Sequence, residues 1–340
     1  MKKPRYIALT DISTAIEVDD RQSLIRLLFY SNEIQIEGLI AVTSCFLKNG
    51  AKKHNENIIH SIINKYKCVR NNLLIHDENY PSSDYLHSVT ARGINAFGKS
   101  VGNGFCEEKY CKNSGADFNL ISNKWIKKNI KAISPYGKIY PYTRFIAEGD
   151  SPSFLWLINN GLNDFEHIEY GSWGGRYTLQ KPENEKYPIF TTANDKVIGI
   201  DNKLHNSPQA SIWRWREEFQ NDFAARMLWT IKDKYELANH NPTAETDNKI
   251  IYAKAGEQVI LKADASDPNG GTLSYQWFHY PEATGNDFYL DLSDERSNKV
   301  RVTVPKDAKN DMHIILKVKN SGTPPLSTYI RFIIKFERNS

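Results

Sequence analysis

The hydrophobic pattern of this chain changes its period once, at Asn239-His240-Asn241-Pro242. Upstream of this point, short apolar runs alternate with stretches that have helical spacing. Downstream, apolar and polar residues alternate with period two. Because these periods belong to different secondary structures, one uniform fold is excluded. A length of 340 residues also fits two domains. We therefore expect one domain over 1–242 and a second over 243–338.

The first domain is predicted to be α/β. Strands and helices alternate over strand 6–9, helix 21–30, strand 35–43, helix 55–66 and strand 73–76, and then over helix 125–133, strand 145–147, helix 153–160 and a helical pair within 210–229. Such alternation predicts a mostly parallel sheet with flanking helices. Ligands of these sheets bind beyond the carboxyl ends of the strands, and Asp11 follows one such end.

The second domain is predicted to be an all-β immunoglobulin-like sandwich. Its apolar positions alternate in five groups: Val259/Leu261, Leu273/Tyr275/Trp277, Val300/Val302/Val304, Ile314/Leu316/Val318 and Ile330/Phe332/Ile334. The turn sequence Asp267-Pro268-Asn269-Gly270-Gly271 separates two of these groups.

Composition excludes several classes of protein. The net charge is only +4 and there is no dense Lys/Arg run, so nucleic acid is not expected as a partner. No apolar stretch approaches the length of a membrane span. No signal-peptide core follows Met1 to Arg5, so the compartment is cytoplasmic, or secreted or periplasmic if a signal was removed.

The four cysteines do not form a CxxC pair, which argues against a structural zinc site. Cys106 and Cys111 lie in one polar loop. A local disulfide and two free thiols are equally compatible with their spacing.

Three aspartates carry the strongest chemical signal. Asp11 ends the first predicted strand, and Asp19 and Asp20 open the first helix. Converging carboxylates repel one another unless a cation neutralises them, and oxygen ligands favour calcium or magnesium. The competing interpretation is that Asp19 and Asp20 only complement the helix dipole. The sequence leaves both interpretations open.

Several longer motifs of the sequence point to one family. They are TDIS (10–13), 19–44, Tyr80-Pro81, Glu148 to Leu162, GSWGGRY (171–177), Ser211 to Thr230, Asn239 to Pro242, Asp264 to Ala283 and His313 to Ile334. Together these segments resemble a known family of cellulose-binding proteins with a nucleoside-hydrolase-like domain and an immunoglobulin-like C-terminal domain.

The resemblance implies a metal site and a reaction. It maps Asp11, Asp19, Asp20 and the later Asp222 onto the ligands of a calcium ion, with Asp11 also the general base in hydrolysis of a glycosidic bond. The residues implied to bind the substrate are Glu148, Asp150, Trp173, Arg176 and Asn221.

Two departures from the family pattern argue against catalytic activity. Asn221 stands where nucleoside hydrolases often have a histidine that protonates the leaving base. A stretch expected between residues 115 and 125, whose counterpart supplies a carbonyl ligand, is missing. The alternatives are therefore a metal-dependent hydrolase of a furanoside, nucleoside or plant-type carbohydrate, and a non-catalytic carbohydrate-binding protein. A structural or adhesion role has the least support.

Overall fold

The computed structural model describes residues 2–13, 17–42, 56–93, 115–144, 147–180, 189–285, 288 and 290–336. The chain divides into two compact units. Unit 1 comprises Met1–Ile158 and Phe223–Ala238, and unit 2 comprises Asn159–Asp222 and Asn239–Ser340. The sequence predicts that the segment beginning at residue 243 folds independently, and this domain boundary stays a prediction.

Unit 1 is built on a parallel sheet. Its strands are β1 (Arg5–Thr10), β2 (Gln35–Ala41) and β3 (Thr90–Arg92), in the order β1-β2-β3. Thr10 pairs with Ala41, and Ala41 pairs with Arg92, so the three carboxyl ends meet at one edge. This confirms the parallel α/β prediction for the described strands, and it places Asp11 directly beyond that edge.

The helices of unit 1 are α1 (Val18–Phe29), α2 (Glu56–Lys67), α3 (Arg70–His76), α4 (Ser83–Ser88), α5 (Asn123–Ile126), α6 (Pro135–Lys138) and α7 (Ser151–Leu155). A π-helical turn, Lys127–Lys131, continues α5. Almost all of α1 is buried. The ring of Phe29 packs edge-on against Tyr136 at 5.2 Å and Phe223 at 5.8 Å.

One predicted strand is wrong. Leu73 to His76 belongs to helix α3, in which Leu73 and His76 are the buried positions. The apolar run is too short for its period to distinguish a strand from a helix. The helix predicted from Ser153 is present but ends at Leu155, and the strand predicted at 145–147 includes residues outside the described ranges.

Unit 2 begins with four short strands and a pair of helices. They are β4 (Tyr177–Gln180), β5 (Ile189–Thr192), β6 (Asp195–Ile198), β7 (Leu204–Ser207), α8 (Ala210–Trp213) and α9 (Arg216–Trp229), the last seven residues of α9 being counted in unit 1. Strands β4 and β5 form one antiparallel hairpin, and β6 and β7 form another. The helical pair predicted within 210–229 is confirmed.

The rest of unit 2 is β-rich, as its period-two pattern predicts. Its strands are β8 (Thr243–Glu245), β9 (Ile250–Ala253), β10 (Gln258–Lys262), β11 (Asp264–Ser266), β12 (Leu273–His279), β13 (Leu292–Ser293), β14 (Lys299–Thr303), β15 (Met312–Asn320) and β16 (Ser327–Phe336). They form the sheets β12-β15-β16-β9, β10-β14-β13 and β11-β8. One hydrophobic core joins the two larger sheets, with Trp277 and Phe332 among its largest members.

Within the described residues, no helix has the length and apolar character needed to cross a membrane. Cys68 is a free, exposed thiol. Cys106 and Cys111, whose pairing the sequence leaves open, lie outside the described residues.

Candidate metal and active site

The ends of β1 and α1 bring three carboxylates together in unit 1. Ligand oxygens of Asp11, Glu17 and Asp20 all lie within 4.8 Å of one another. The side chain of Asp20 is buried, with 4% of the residue exposed, whereas Asp11 and Glu17 are half-buried. Thr10, the last residue of β1, donates its hydroxyl to Oδ1 of Asp20 at 2.5 Å. The strand end and the first helical turn therefore fix one acidic cluster, which we define as Asp11, Glu17 and Asp20.

Burial and the mutual repulsion of carboxylates both act on this cluster. Burial, together with the nearby charges of Asp150, Asp11 and Asp19, raises the pKa of Asp20 to about 9. Burial also raises the pKa of Asp19, and the charge of Asp11 adds to that rise. Carboxylates held this close are unfavourable as anions unless a cation compensates them. An all-oxygen donor set of this charge fits a hard cation such as Ca²⁺.

Glu17, which the sequence analysis did not single out, completes the cluster in place of Asp19. Asp19 lies in the first turn of α1, near Asp11, but it is not one of the three residues whose oxygens converge. Glu17 takes that place, three residues before Asp20 and at the N-cap position of α1. Residues three apart share one face of a helix, so the i, i+3 spacing of Glu17 and Asp20 was the signal that the sequence interpretation missed.

Asp222 is buried on α9 and belongs to unit 2, whereas the acidic cluster belongs to unit 1. Its role as a further metal ligand stays a prediction. Asn221 precedes it on the same helix and is half-buried.

Glu148 and Asp150 have different surroundings. The Glu148 carboxylate forms an ion pair with Arg26, with 2.7 Å between Nε and Oε2, and it accepts a hydrogen bond from the Tyr140 hydroxyl. Arg26 is 1% exposed, so this carboxylate compensates a buried cation. Asp150 is exposed at the start of α7, makes no side-chain capping bond there, and acts electrostatically on Asp20. Of these two predicted sugar ligands, Asp150 is the one associated with the acidic cluster.

Within unit 2, the side chains of Trp173 and Arg176 both contact other residues of the fold. The indole of Trp173 is 1% exposed, and its Nε1 lies 3.3 Å from the Tyr329 hydroxyl. The guanidinium of Arg176 binds Asp195, which is fully buried, at 2.8 Å. Their contact with substrate stays a prediction, and neither group extends freely into solvent.

Comparison with known protein families identifies the family of this chain. The model described as "Cellulose-binding Sde182, nucleoside hydrolase-like domain" matches residues 5–105 and 102–177, which is half of the chain. The chain belongs to this family. The family's C-terminal domain, described as that of the cellulose-binding protein Sde0182, matches residues 258–336. The resemblance seen in the sequence motifs is thereby confirmed for both parts of the chain.

A solved structure supports the same fold. A nucleoside hydrolase-related hypothetical protein from Saccharophagus degradans, described as associated with carbohydrate metabolism, aligns with a TM-score of 0.79 and 26% identity. The alignment covers 99% of this chain and 100% of that one. Titin domain M7 aligns with 29% of this chain and 97% of its own, at 15% identity and a TM-score of 0.21, a likeness too weak to carry an argument. No curated protein matches significantly.

Proposed function

We propose that this chain is a metal-dependent hydrolase that cleaves a glycosidic bond of a furanoside, nucleoside or plant-type carbohydrate. The observation that carries the proposal is the convergence of Asp11, Glu17 and Asp20 beyond the carboxyl end of β1. This is the edge at which parallel α/β sheets bind ligands. The family's nucleoside-hydrolase-like domain and the carbohydrate association of the Saccharophagus degradans protein support the substrate class.

The acidic residues have three proposed roles: binding the cation, accepting a proton and binding the sugar. Glu17 and Asp20 hold the cation, and Thr10 keeps the Asp20 carboxylate in place through its hydroxyl. A bound Ca²⁺ would supply positive charge that lowers the pKa of a coordinated water. Asp11, half-buried and fixed by the preceding strand, accepts the proton of the attacking water. Asp19 and the exposed Asp150 hydrogen-bond the sugar hydroxyls.

The second candidate is a non-catalytic carbohydrate-binding protein that has kept a degenerate hydrolase site. Asn221 favours it, because an amide side chain cannot protonate a leaving group as a histidine can. The family's description as cellulose-binding also favours it. The two candidates differ in turnover, so activity separates them directly.

For residues 243–338, which lie within unit 2, we propose an immunoglobulin-like sandwich. The support is one shared core between a four-stranded and a three-stranded sheet, with Trp277 buried in it. All of the described pairings within these two sheets are antiparallel except that of β16 with β9.

An activity screen tests the hydrolase. The wild type is incubated with nitrophenyl furanosides, nucleosides and plant polysaccharides, with Ca²⁺ or with EDTA. We expect Ca²⁺-dependent hydrolysis of at least one furanoside-type bond. Asp11→Asn keeps the shape and removes the base, so turnover should fall by about 10²–10⁴ while substrate binding survives.

The matched control is Asp84→Asn, which changes an exposed aspartate on α4 in the same unit. It should keep wild-type turnover. If the wild type hydrolyses none of the substrates but binds a glycan, the non-catalytic candidate replaces the hydrolase. If Asp11→Asn is fully active, another residue is the base.

A further inference from the structure

Unit 2 contains a cavity of about 520 Å³ that shares no residue with the acidic cluster. Its walls come from the β6–β7 hairpin, the junction of α8 and α9, the edge strand β12, residue 317 of β15 and the segment 290–295. Small-molecule sites commonly measure about 300–1,000 Å³. The cavity is therefore large enough for a ligand of a few rings.

One polar group in the wall lacks a partner. Trp215 lines the cavity and is 3% exposed, and its Nε1 has no hydrogen-bond acceptor among the described residues. Buried indole N–H groups usually find an acceptor, because leaving a donor unsatisfied is unfavourable. A ligand oxygen that reaches this nitrogen would satisfy it.

The charges in the wall are balanced. Arg214 binds Asp195 at 2.8 Å and lies 3.6 Å from Glu282, and Lys317 binds Glu218 at 2.8 Å. Each of these cations therefore already faces a carboxylate. Two further lining residues, Lys196 and Glu295, add one charge of each sign. Such a wall gives no net attraction for a phosphate or a polyanion, but it offers many hydrogen-bonding groups to a neutral ligand.

The cavity also has an apolar side. Ile198 and Leu204, on the β6–β7 hairpin, are 60% and 61% exposed although both line the cavity. Leu290 and Leu292 add further apolar surface. The amide of Gln276 lies on the polar side, on β12. A ligand that combines apolar faces with several hydrogen-bonding groups and carries no net charge therefore suits this wall.

We propose that this cavity binds a short segment of a neutral oligosaccharide. The Trp215 indole N–H donates to a sugar oxygen, Gln276 and the Glu218–Lys317 pair bind hydroxyls, and the hairpin side chains cover the C–H faces of a ring. This assignment goes beyond the hydrolase proposal, and it holds whether or not the acidic cluster supports turnover.

The test is calorimetric titration of the full chain, in EDTA, with neutral gluco- and xylo-oligosaccharides of two to six units. Oligogalacturonides of equal length and uridine monophosphate are the charged comparators. We expect saturable binding of a neutral oligosaccharide, with a change in tryptophan fluorescence, and weaker binding of the charged ligands. Trp215→Phe keeps an aromatic ring and removes the donor, so affinity should fall about 3- to 10-fold, the loss of one neutral hydrogen bond.

Trp213→Phe is the matched control. Trp213 is also buried and its Nε1 also lacks a partner among the described residues, but it does not line the cavity. It should keep wild-type affinity. Gln276→Ala provides a second test of the wall if Trp215→Phe does not fold.

Three results would overturn the assignment: no neutral oligosaccharide binds, the charged ligands bind more tightly, or the wall variants bind as the wild type does. Because EDTA removes the metal, failure of the metal site leaves this measurement unaffected.

Discussion

Asp20 is buried beside other carboxylates and accepts a hydrogen bond from Thr10. Asparagine at this position keeps the shape and the acceptor oxygen but removes the charge. Without Ca²⁺, Asp20→Asn should therefore unfold at a temperature no lower than the wild type. With excess Ca²⁺ the wild type should gain stability, by about 2.7 kcal/mol at a hundredfold excess over Kd, and the variant should not.

Thermal unfolding in EDTA and in Ca²⁺ measures both effects. Asp84→Asn should show the full wild-type gain, because this aspartate lies outside the cluster. A full calcium shift in Asp20→Asn would exclude Asp20 as a ligand.

Glu148 distinguishes a structural role from a sugar-binding role. Glu148→Gln leaves the buried Arg26 without its carboxylate, so we expect a loss of about 3–5 kcal/mol in the free energy of unfolding. Tyr140→Phe removes only one hydrogen bond to the same carboxylate and should cost about 1 kcal/mol. Urea denaturation measures both. If Glu148→Gln is as stable as the wild type but loses sugar binding, the carboxylate acts on the ligand instead.

Part of this candidate site was predictable from the sequence. The rest depends on tertiary contacts, which the sequence pattern does not show. Asp11 and Asp20 were found because a strand end and a helix start are visible in the hydrophobic pattern. Glu17 was missed because an acidic residue before a helix is usually an exposed dipole partner. The burial of Trp173 was equally invisible, since a glycine-rich turn containing an aromatic ring can lie inside or outside a fold.

Two strands of unit 2 carry buried histidines that stay neutral. Burial lowers the pKa of His279, on β12, to about 4. Burial and the adjacent Arg331 lower the pKa of His313, on β15, to about 2. Arg331 lies 3.0 Å from Nδ1 of His313, so that nitrogen accepts from the guanidinium and cannot carry a proton. Both side chains therefore bind protons less readily in the folded state than in the unfolded state.

This linkage fixes the sign of a pH effect. The contribution of these neutral histidines to the free energy of unfolding is fully present above about pH 6.5, their pKa in the unfolded state. It is lost as the pH falls towards their lower pKa values in the folded state. Below about pH 6 each histidine should lower the free energy of unfolding by about 1.4 kcal/mol per pH unit. Denaturant titrations between pH 7.5 and 4.5 measure the slope.

His279→Asn should make this slope shallower, because an amide oxygen can replace Nδ1 as the acceptor for the Leu290 N–H without titrating. An unchanged slope would show that His279 titrates normally in the folded state.

Element type was predictable where the pattern was long. The twelve residues of α1 and the ten of β16 each span enough positions to show their period. The four residues from Leu73 to His76 do not, and their apolar character fits either structure. The α3 helix is instead defined by packing, which buries Leu73 and His76 on one side.

For the whole molecule, the predicted domain of residues 243–338 should fold as an isolated fragment. Its hydrophobic core is composed of residues within that range. The fragment lacks the Leu162 and Tyr170 carbonyls, to which the buried Arg331 donates, so its stability should be lower than that of the same strands in the full chain. Circular dichroism and urea denaturation test this. A random-coil spectrum would show that residues 159–222 are needed for folding.

The division between the units falls inside helix α9, and this has a consequence for synthesis. The core around α1 includes Phe223, and Arg226 donates to the carbonyl of Phe29 and to Asn32. A ribosome makes these residues only after the whole 159–222 segment, which belongs to the other unit. The first unit therefore cannot complete its interior while it is being translated. Its nascent chain must keep an apolar face uncovered for at least 64 further residues, the period in which a chaperone would meet it.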